Sequence, residues 1–190
     1  MSQAEVSGRA FLGIINYVRE THGKNALVEL LPMLPPVART MFSQRILHGT
    51  WYPYDSYVAF LKALEAKYGR GDPAYCRTLG ASSGVRDINT VFKIYLAIAS
   101  TEWLIRGCSK VWPSYYRNAG TMEAIRWSPD DTLLRITGFP DMAPQHCRLM
   151  EGWMISTMNA LKVDVLDPRE SMCTSRGGSA HEFACRWKKR

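Results

Sequence analysis

Four residues with side chains that commonly bind metals occur at fixed spacing in the last third of the chain, and this pattern restricts the fold most. They are Cys147, Glu170, Cys173 and His181, in the order Cys-x22-Glu-x2-Cys-x7-His. Zinc favours four such ligands in a tetrahedron, and a site filled by protein ligands alone is structural. If the four bind one ion, the chain must fold so that distant segments meet. The pattern therefore predicts a structural zinc site.

Local sequence around these residues favours their convergence. Glu170 and Cys173 lie on one short turn, and the glycines of TSRGGSA permit a tight reversal before His181. Cys185 follows four residues later, and on a strand its α-carbon would lie roughly 13 Å from that of His181, too far to share one ion. Buried free cysteines with a surface histidine remain an open alternative, because Cys-x7-His is not a standard zinc-finger spacing. An odd total of five cysteines argues against a disulfide framework.

The same segment resembles the C-terminal half of the 4-vinyl reductase domain, a module that senses small molecules in regulators of aromatic catabolism. The resemblance rests on Cys147, Gly152, Glu170, Cys173, Gly177, Gly178 and His181, with histidine where that family usually has a final cysteine. It implies zinc bound by the four ligands and a ligand cavity between an antiparallel sheet and helices. It also implies a pocket tryptophan at the end of the first hairpin strand, where Trp127 stands.

An apolar segment in the middle of the chain predicts a central helix over Arg86–Val111. Its apolar residues, among them Phe92, Tyr95 and Trp103, occupy most of the helix circumference, which is typical of a buried helix. Trp112 and Tyr116 follow directly. Aromatic walls with few polar anchors suit a pocket for an apolar or aromatic ligand. A plain aromatic core is the alternative interpretation.

The order of predicted elements indicates an α+β fold in a single domain. Residues 1–118 are expected to form a mainly helical bundle, and residues 119–190 a 4-vinyl-reductase-like part, an antiparallel sheet of about four strands with an inserted helix. Predicted helices cover Gly8–Thr21, Asn25–Leu31, Val37–Ile46, Tyr57–Tyr68 and Pro144–Leu161. Predicted strands cover Thr121–Trp127, Thr132–Gly138, Lys162–Leu166 and His181–Trp187.

Composition and motifs argue against several classes of function. The net charge is +7, but the basic residues are scattered except at Arg186–Arg190, and no nucleic-acid reader motif occurs. No apolar stretch reaches the roughly 20 residues that span a bilayer. Without a secretory signal, the chain is expected to be cytoplasmic. No Ser-His-Asp order or His-Glu-x2-His pair occurs, so we predict that the chain is not an enzyme.

We therefore predict a sensor or adaptor domain that binds a small hydrophobic or aromatic ligand. The predicted pocket residues are Phe92, Tyr95, Trp103, Trp112, Tyr116, Trp127 and Trp153. A homodimer or a signalling protein would receive the signal. Two alternatives remain open. One is a protein-interaction scaffold with a filled core. The other is a haem-type gas sensor, since haem nitric-oxide domains also pair helices with an antiparallel sheet. That alternative needs an axial ligand, and His22, His48 and His146 are not predicted on the central helices.

Overall fold

A computed structural model describes residues 3–90, 100–140, 142–166 and 168–189. Five helices form the N-terminal part: α1 (Gly8–His22), α2 (Ala26–Leu30), α3 (Pro36–Phe42), α4 (Tyr54–Lys67) and α5 (Ala74–Thr90). The side chain of Ser7 caps α1 by accepting the backbone N–H of Arg9. The apolar stripe of α1 is buried, as its 3.6-residue periodicity predicts.

A small antiparallel sheet, which the sequence did not predict, joins the N-terminus to the middle of the chain. Its strands are β1 (Glu5–Ser7), β2 (Trp51–Pro53) and β3 (Tyr116–Arg117), in the order β2-β1-β3. Strands of two or three residues are too short to show alternating hydrophobicity. This sheet places Tyr116 beside the start of α1.

The segment predicted as one helix over Arg86–Val111 is interrupted within the described residues. After α5 the structure has α6 (Thr101–Arg106) and α7 (Cys108–Val111), so the prediction of a single helix is wrong. Ser100 starts α6 by accepting the backbone N–H of Trp103 at 3.1 Å. Serine is a preferred N-terminal cap. A pattern of apolar residues that continues across the cap does not show where a new helix begins.

A five-stranded antiparallel sheet forms the C-terminal part, with helix α8 (Pro144–Ala160) inserted between its second and third strands. The strands are β4 (Thr121–Trp127), β5 (Asp131–Thr137), β6 (Val163–Val165), β7 (Arg169–Met172) and β8 (His181–Lys189). The order is β4-β5-β8-β6, and β7 also pairs with β8. The α+β class is thereby confirmed. The short, polar strand β7 was not predicted.

Helices α5 and α8 approach closely enough to require glycine at their contact. A Cβ atom on Gly80 would lie 1.9 Å from the carbonyl oxygen of Leu149, and one on Gly152 would lie 1.8 Å from that of Arg77. Both separations are far shorter than van der Waals contact. The two backbones therefore touch along this seam. Within the described residues, no helix is both long and apolar enough to cross a membrane.

Candidate functional site

The four predicted metal ligands lie together in the structure. Cys147 is in the first turn of α8, Glu170 is on β7, Cys173 follows β7, and His181 begins β8. One ligand atom from each lies within 4.8 Å of the others. His181 Nδ1 is 3.4 Å from Cys147 Sγ and 3.1 Å from Glu170 Oε1, and the two sulfur atoms are 4.0 Å apart. We refer to these four residues as the cysteine–histidine cluster.

Turn geometry brings His181 back to the cluster. Gly177 adopts a left-handed conformation (φ 85°), which glycine reaches without a steric cost, and this reverses the chain between Cys173 and β8. The hydroxyl of Thr174 lies 2.8 Å from His181 Nε2, so both ring nitrogens of His181 have partners. The guanidinium of Arg176 pairs with Glu170 at 3.0 Å.

The pKa values of Cys147 and Glu170 shift in opposite directions. Burial and the neighbouring Glu170 carboxylate raise the pKa of the Cys147 thiol far above its usual value. For Glu170, burial alone would raise the pKa, but hydrogen bonds from His181, Cys147 and Cys173 together with Arg176 lower it to about 2. Two thiols, one carboxylate and one imidazole could hold a metal once the thiols lose their protons. Metal binding here stays a prediction.

Two adjoining cavities lie where the N-terminal helices meet α8 and the sheet. The first, here called the arginine cavity, holds about 40 Å³ of space and is partly open to solvent. It is lined by Arg9, Ala10, Tyr57, Ser83, Val111, Trp112, Tyr115, Tyr116, Met122, Leu149, Met150 and Trp153.

The second, here called the methionine cavity, also holds about 40 Å³ of space and is walled almost entirely by apolar groups. It is lined by Leu104, Ile105, Cys108, Val111, Met122, Thr132, Leu134, Met150, Trp153, Met154, Thr157, Met158 and Cys185. Four residues border both cavities, namely Val111, Met122, Met150 and Trp153. The two spaces are therefore neighbouring parts of one site.

The polar groups exposed at this site lie mainly at the arginine cavity and its rim. Arg9 donates from Nε to His48 Nε2 at 3.2 Å, and its guanidinium carbon lies 5.4 Å from the ring centre of Tyr115. Ser83 is 8% exposed, and its hydroxyl has no hydrogen-bond partner among the described residues. A buried hydroxyl without a partner is unfavourable, so a ligand atom opposite Ser83 would be stabilised.

A buried histidine supports the wall of the arginine cavity. His146 Nε2 lies 2.8 Å from the hydroxyl of Tyr116, and Nδ1 lies 3.0 Å from that of Tyr54. Burial is the main cause that lowers the pKa of His146 to about 3, and electrostatic interaction with the nearby His181 is a smaller cause. The ring is therefore neutral at physiological pH, so it donates to one tyrosine and accepts from the other.

The predicted pocket residues separate into three groups. Trp112, Tyr116 and Trp153 line the arginine cavity, and Trp153 also lines the methionine cavity. Trp103 is 49% exposed and lines neither cavity, because Ile105 is the residue that α6 buries. Trp127 also lines neither and lies under the guanidinium of Arg106, 5.5 Å from its ring centre. Phe92 and Tyr95 lie outside the described residues.

Sequence reasoning missed the polar end of the site and most of its sulfur-rich wall. Arg9 follows a helix cap, and Ser83 is one of several small residues on α5, so neither carries a recognisable local signal. Methionines at helical spacing on α8, namely Met150, Met154 and Met158, form one face of the methionine cavity. That spacing was visible in the sequence, but it is equally typical of an ordinary core stripe.

Comparisons with known proteins identify a fold and no sequence family. No family model matches the chain, and no curated protein sequence matches it. An Fe(II) unliganded H-NOX protein from K. algicida is similar over 97% of both chains, with a TM-score of 0.68 and 10% identity. The H-NOX domain of Shewanella oneidensis in its Fe(II)CO state is similar over 97% of this chain and 99% of its own, with a TM-score of 0.69 and 12% identity.

A more distant similarity points to a second kind of protein. Subunit 3 of a trafficking protein particle complex from Naegleria fowleri, covalently bound to palmitic acid, covers 68% of this chain and 92% of its own. Its TM-score is 0.53 at 10% identity. At such identities these comparisons establish a shared fold only.

These comparisons correct two expectations from the sequence. The resemblance to the 4-vinyl reductase domain is wrong as an assignment, because the structures similar over nearly the whole chain are H-NOX domains, which are haem-based gas sensors. Zinc as the cofactor is also wrong, because these similar structures contain iron. Four metal-binding side chains at suitable spacing indicate a capacity to bind metal, and they do not identify the cofactor that the fold serves.

The residues that line the two cavities show how far the site could hold haem. The walls of the two cavities are apolar and aromatic, but each cavity holds only about 40 Å³, so a porphyrin would enter only if the cavities widened. None of the chain's four histidines lines them. His22 stacks on Tyr68, His48 contacts Arg9, and the rings of His146 and His181 each have both nitrogens occupied. Residues with sulfur-containing side chains line the methionine cavity instead, among them Cys108. Thiolate and thioether sulfur are both known haem ligands.

Proposed function

We propose that this chain is a non-enzymatic sensor domain of the haem-type gas-sensor architecture. Its ligand would occupy the joined arginine and methionine cavities, which hold about 40 Å³ each and would widen to admit it. The observation that supports this most is that these cavities lie at the junction of the helical part and the α+β part, in a chain similar to H-NOX domains over almost its whole length. Such concave, largely apolar sites with a few polar groups are typical of small-molecule binding.

If haem is the occupant, Met150 and Trp153 would contact the macrocycle, since both border the two cavities. Haem supplies an iron atom that can coordinate a diatomic gas. Cys108, which lines the methionine cavity, would be the residue that could hold the haem iron. Burial raises the pKa of its thiol to about 11, so its proton must leave when a metal binds.

Direct binding of a small apolar molecule without haem is the second candidate. The observation that favours it is the absence of histidine from both cavities, since an imidazole is the most familiar axial ligand. In either case the ligand is enclosed by the same residues of α8. The two candidates therefore share one site and differ in its occupant.

Helix α8 is the element through which occupancy would be transmitted. Leu149, Met150 and Trp153 of α8 line the arginine cavity, while Gly152 holds the helix against the backbone of α5. A helix in close backbone contact shifts as a unit when its other face is filled. A signalling protein or a second copy of the chain that contacts α5 would receive that shift.

Haem titration of the purified protein tests this proposal. We expect a shifted Soret band that saturates at one haem per chain, and a further shift when carbon monoxide is added to the reduced form. Ala10 lines the arginine cavity, so Ala10→Phe should weaken binding by filling it. Val85→Phe adds the same ring to α5 at a position that is 48% exposed, and it serves as the matched control.

Native mass spectrometry of the same preparations covers binding without haem. A copurified small molecule that Ala10→Phe excludes and Val85→Phe retains would support the second candidate. The sensor proposal fails if the wild type takes up neither haem nor any small molecule. A protein-interaction scaffold with a filled core would then be the better description.

A further inference from the structure

We infer that the joined cavities select ligands that carry a carboxylate, with Arg9 and Ser83 binding the carboxylate and the methionine cavity holding an apolar body. This inference rests on the proposed function, because it names the ligand class of the same site. The chemistry is shared by a long-chain fatty acid and by haem, whose propionates are carboxylates. The experiment below separates these two sources.

The charge at the arginine cavity supports this assignment. Arg9 lines the cavity, and the described residues place no carboxylate in an ion pair with it. Its contacts are the ring nitrogen of His48 and the face of Tyr115. A guanidinium presents five N–H donors, and its planar edge matches a carboxylate in two parallel hydrogen bonds. Donors beyond Nε are thus available to a ligand.

The position of Ser83 supplies independent support. Its hydroxyl is buried, borders the arginine cavity and has no hydrogen-bond partner in the part of the chain that the structure describes. Ser83 Oγ lies 2.9 Å from the site where a Cβ on Gly13 would stand. Gly13 is four residues after Arg9 on α1, so the two positions share a helix face about 6 Å apart. A carboxylate beside Arg9 is therefore within reach of Ser83.

The apolar end of the site completes the match. The methionine cavity shares Met122, Met150 and Trp153 with the arginine cavity and extends to Met154 and Met158 on α8. The methionine cavity holds only about 40 Å³, so an apolar body would enter it by displacing the methionine side chains. These side chains are flexible and adapt to ligands of irregular shape. A ligand with one anionic end and an apolar body satisfies Arg9 and Ser83 at one end and buries its body at the other. A wholly apolar ligand would leave both polar groups desolvated without a partner.

Binding of matched probes to the full chain tests the inference. We would measure dissociation constants by tryptophan fluorescence and calorimetry for palmitate, for hexadecanol, for haem and for haem dimethyl ester. We expect palmitate to bind at least tenfold more tightly than hexadecanol, or haem at least tenfold more tightly than its ester. A difference between palmitate and hexadecanol would identify the ligand as a fatty acid. A difference between haem and its dimethyl ester would identify it as haem.

Variants identify the groups responsible. Arg9→Gln should weaken binding of the carboxylate probe by about 10- to 100-fold and leave the uncharged partner unchanged, as expected for a lost charge-assisted hydrogen bond. Ser83→Ala should weaken it by about 3- to 10-fold. Arg9→Lys, which keeps the charge, should restore part of the affinity. Arg19→Gln changes an exposed arginine on the same helix and should have no effect.

The outcomes separate this inference from the proposed function. Equal affinity for charged and uncharged partners, or an Arg9→Gln protein that binds like the wild type, would overturn carboxylate selection and leave the pocket proposal intact. If none of the four probes binds the wild type, both the inference and the sensor proposal fail. Circular dichroism and thermal melting of each variant would show whether lost affinity reflects lost folding.

Discussion

Tyr116 Oη lies 2.8 Å from Nε2 of His146, and this contact joins the short N-terminal sheet to helix α8. The opposite nitrogen of the same ring lies 3.0 Å from the hydroxyl of Tyr54, which also accepts the backbone N–H of Ala143 at 3.0 Å. One neutral imidazole thus connects three separate segments. The side chains of Tyr54, Tyr116 and His146 are buried, and Tyr116 also borders the arginine cavity.

Replacing His146 by phenylalanine should be strongly destabilising. The ring volume is roughly conserved, but two buried tyrosine hydroxyls lose a partner, which costs about 2–4 kcal/mol in the free energy of unfolding. Tyr54→Phe should cost about 1–2 kcal/mol, because only one hydroxyl is removed. Urea unfolding measures both. His48→Phe, at an exposed position, is the control, and an equally stable His146→Phe protein would contradict the role assigned to this histidine.

The seam between α5 and α8 should not tolerate a single added carbon. Gly80→Ala would place a methyl group 1.9 Å from the carbonyl oxygen of Leu149, so the two helices must separate. We expect a loss of at least about 3 kcal/mol in unfolding free energy, or failure to fold, as for severe overpacking. Gly49→Ala adds the same methyl group where no atom lies within 4 Å and should be nearly neutral. Thermal melts that coincide for the two variants would disprove the close contact.

Cys108 should react slowly with alkylating agents at neutral pH. Burial raises the pKa of this thiol to about 11, partly offset by backbone hydrogen bonds, and only the thiolate is nucleophilic. The reaction rate should therefore rise about tenfold per pH unit between pH 8 and 10. Peptide mapping after iodoacetamide treatment isolates this cysteine from the other four. A rate at pH 8 equal to that of a free thiol would refute the prediction.

The raised pKa of the Cys108 thiol also determines how the stability of the fold changes at high pH. Below the unfolded-state value of about 9 the Cys108 thiol is neutral in both states, so stability does not change. As pH rises from 9 to 11, the unfolded chain ionises first and the folded state loses stability.

A bound pocket ligand should slow alkylation of Cys108 further, because Cys108 lines the methionine cavity.

How much of this molecule could be predicted differs between its two halves. Alternating hydrophobicity located β4, β5 and β8, and the periodicity of Pro144–Leu161 located α8 to within a residue. Strand β7 and the N-terminal sheet escaped prediction because their strands are short and gain their order from partners distant in sequence. The helix start at Ser100 escaped because apolar periodicity in the sequence continues across it.

The candidate site also combines residues that could be predicted from the sequence with residues that could not. The spacing of four potential metal ligands predicted that the cysteine–histidine cluster would converge, with buried free cysteines as the open alternative. Arg9 and Ser83 could not be predicted, since one arginine after a helix cap and one serine on a helix are commonplace. Their importance appears only when the packing of α1 against α5 places them on one cavity. The family resemblance failed for a related reason, because a local ligand pattern does not identify the surrounding fold.

The last prediction concerns the cysteine–histidine cluster, whose ligand atoms lie within 4.8 Å of one another. If the cluster binds a metal ion of any element, elemental analysis of purified protein should find about one ion per chain. Cys173→Ala removes one ligand and should release that ion and lower the melting temperature. Ser175→Ala is the matched control, because Ser175 contacts Cys173 at 3.0 Å but is exposed and outside the cluster. A wild-type protein that is free of metal and melts at the same temperature after chelator treatment would show that the four side chains are held together by hydrogen bonds alone.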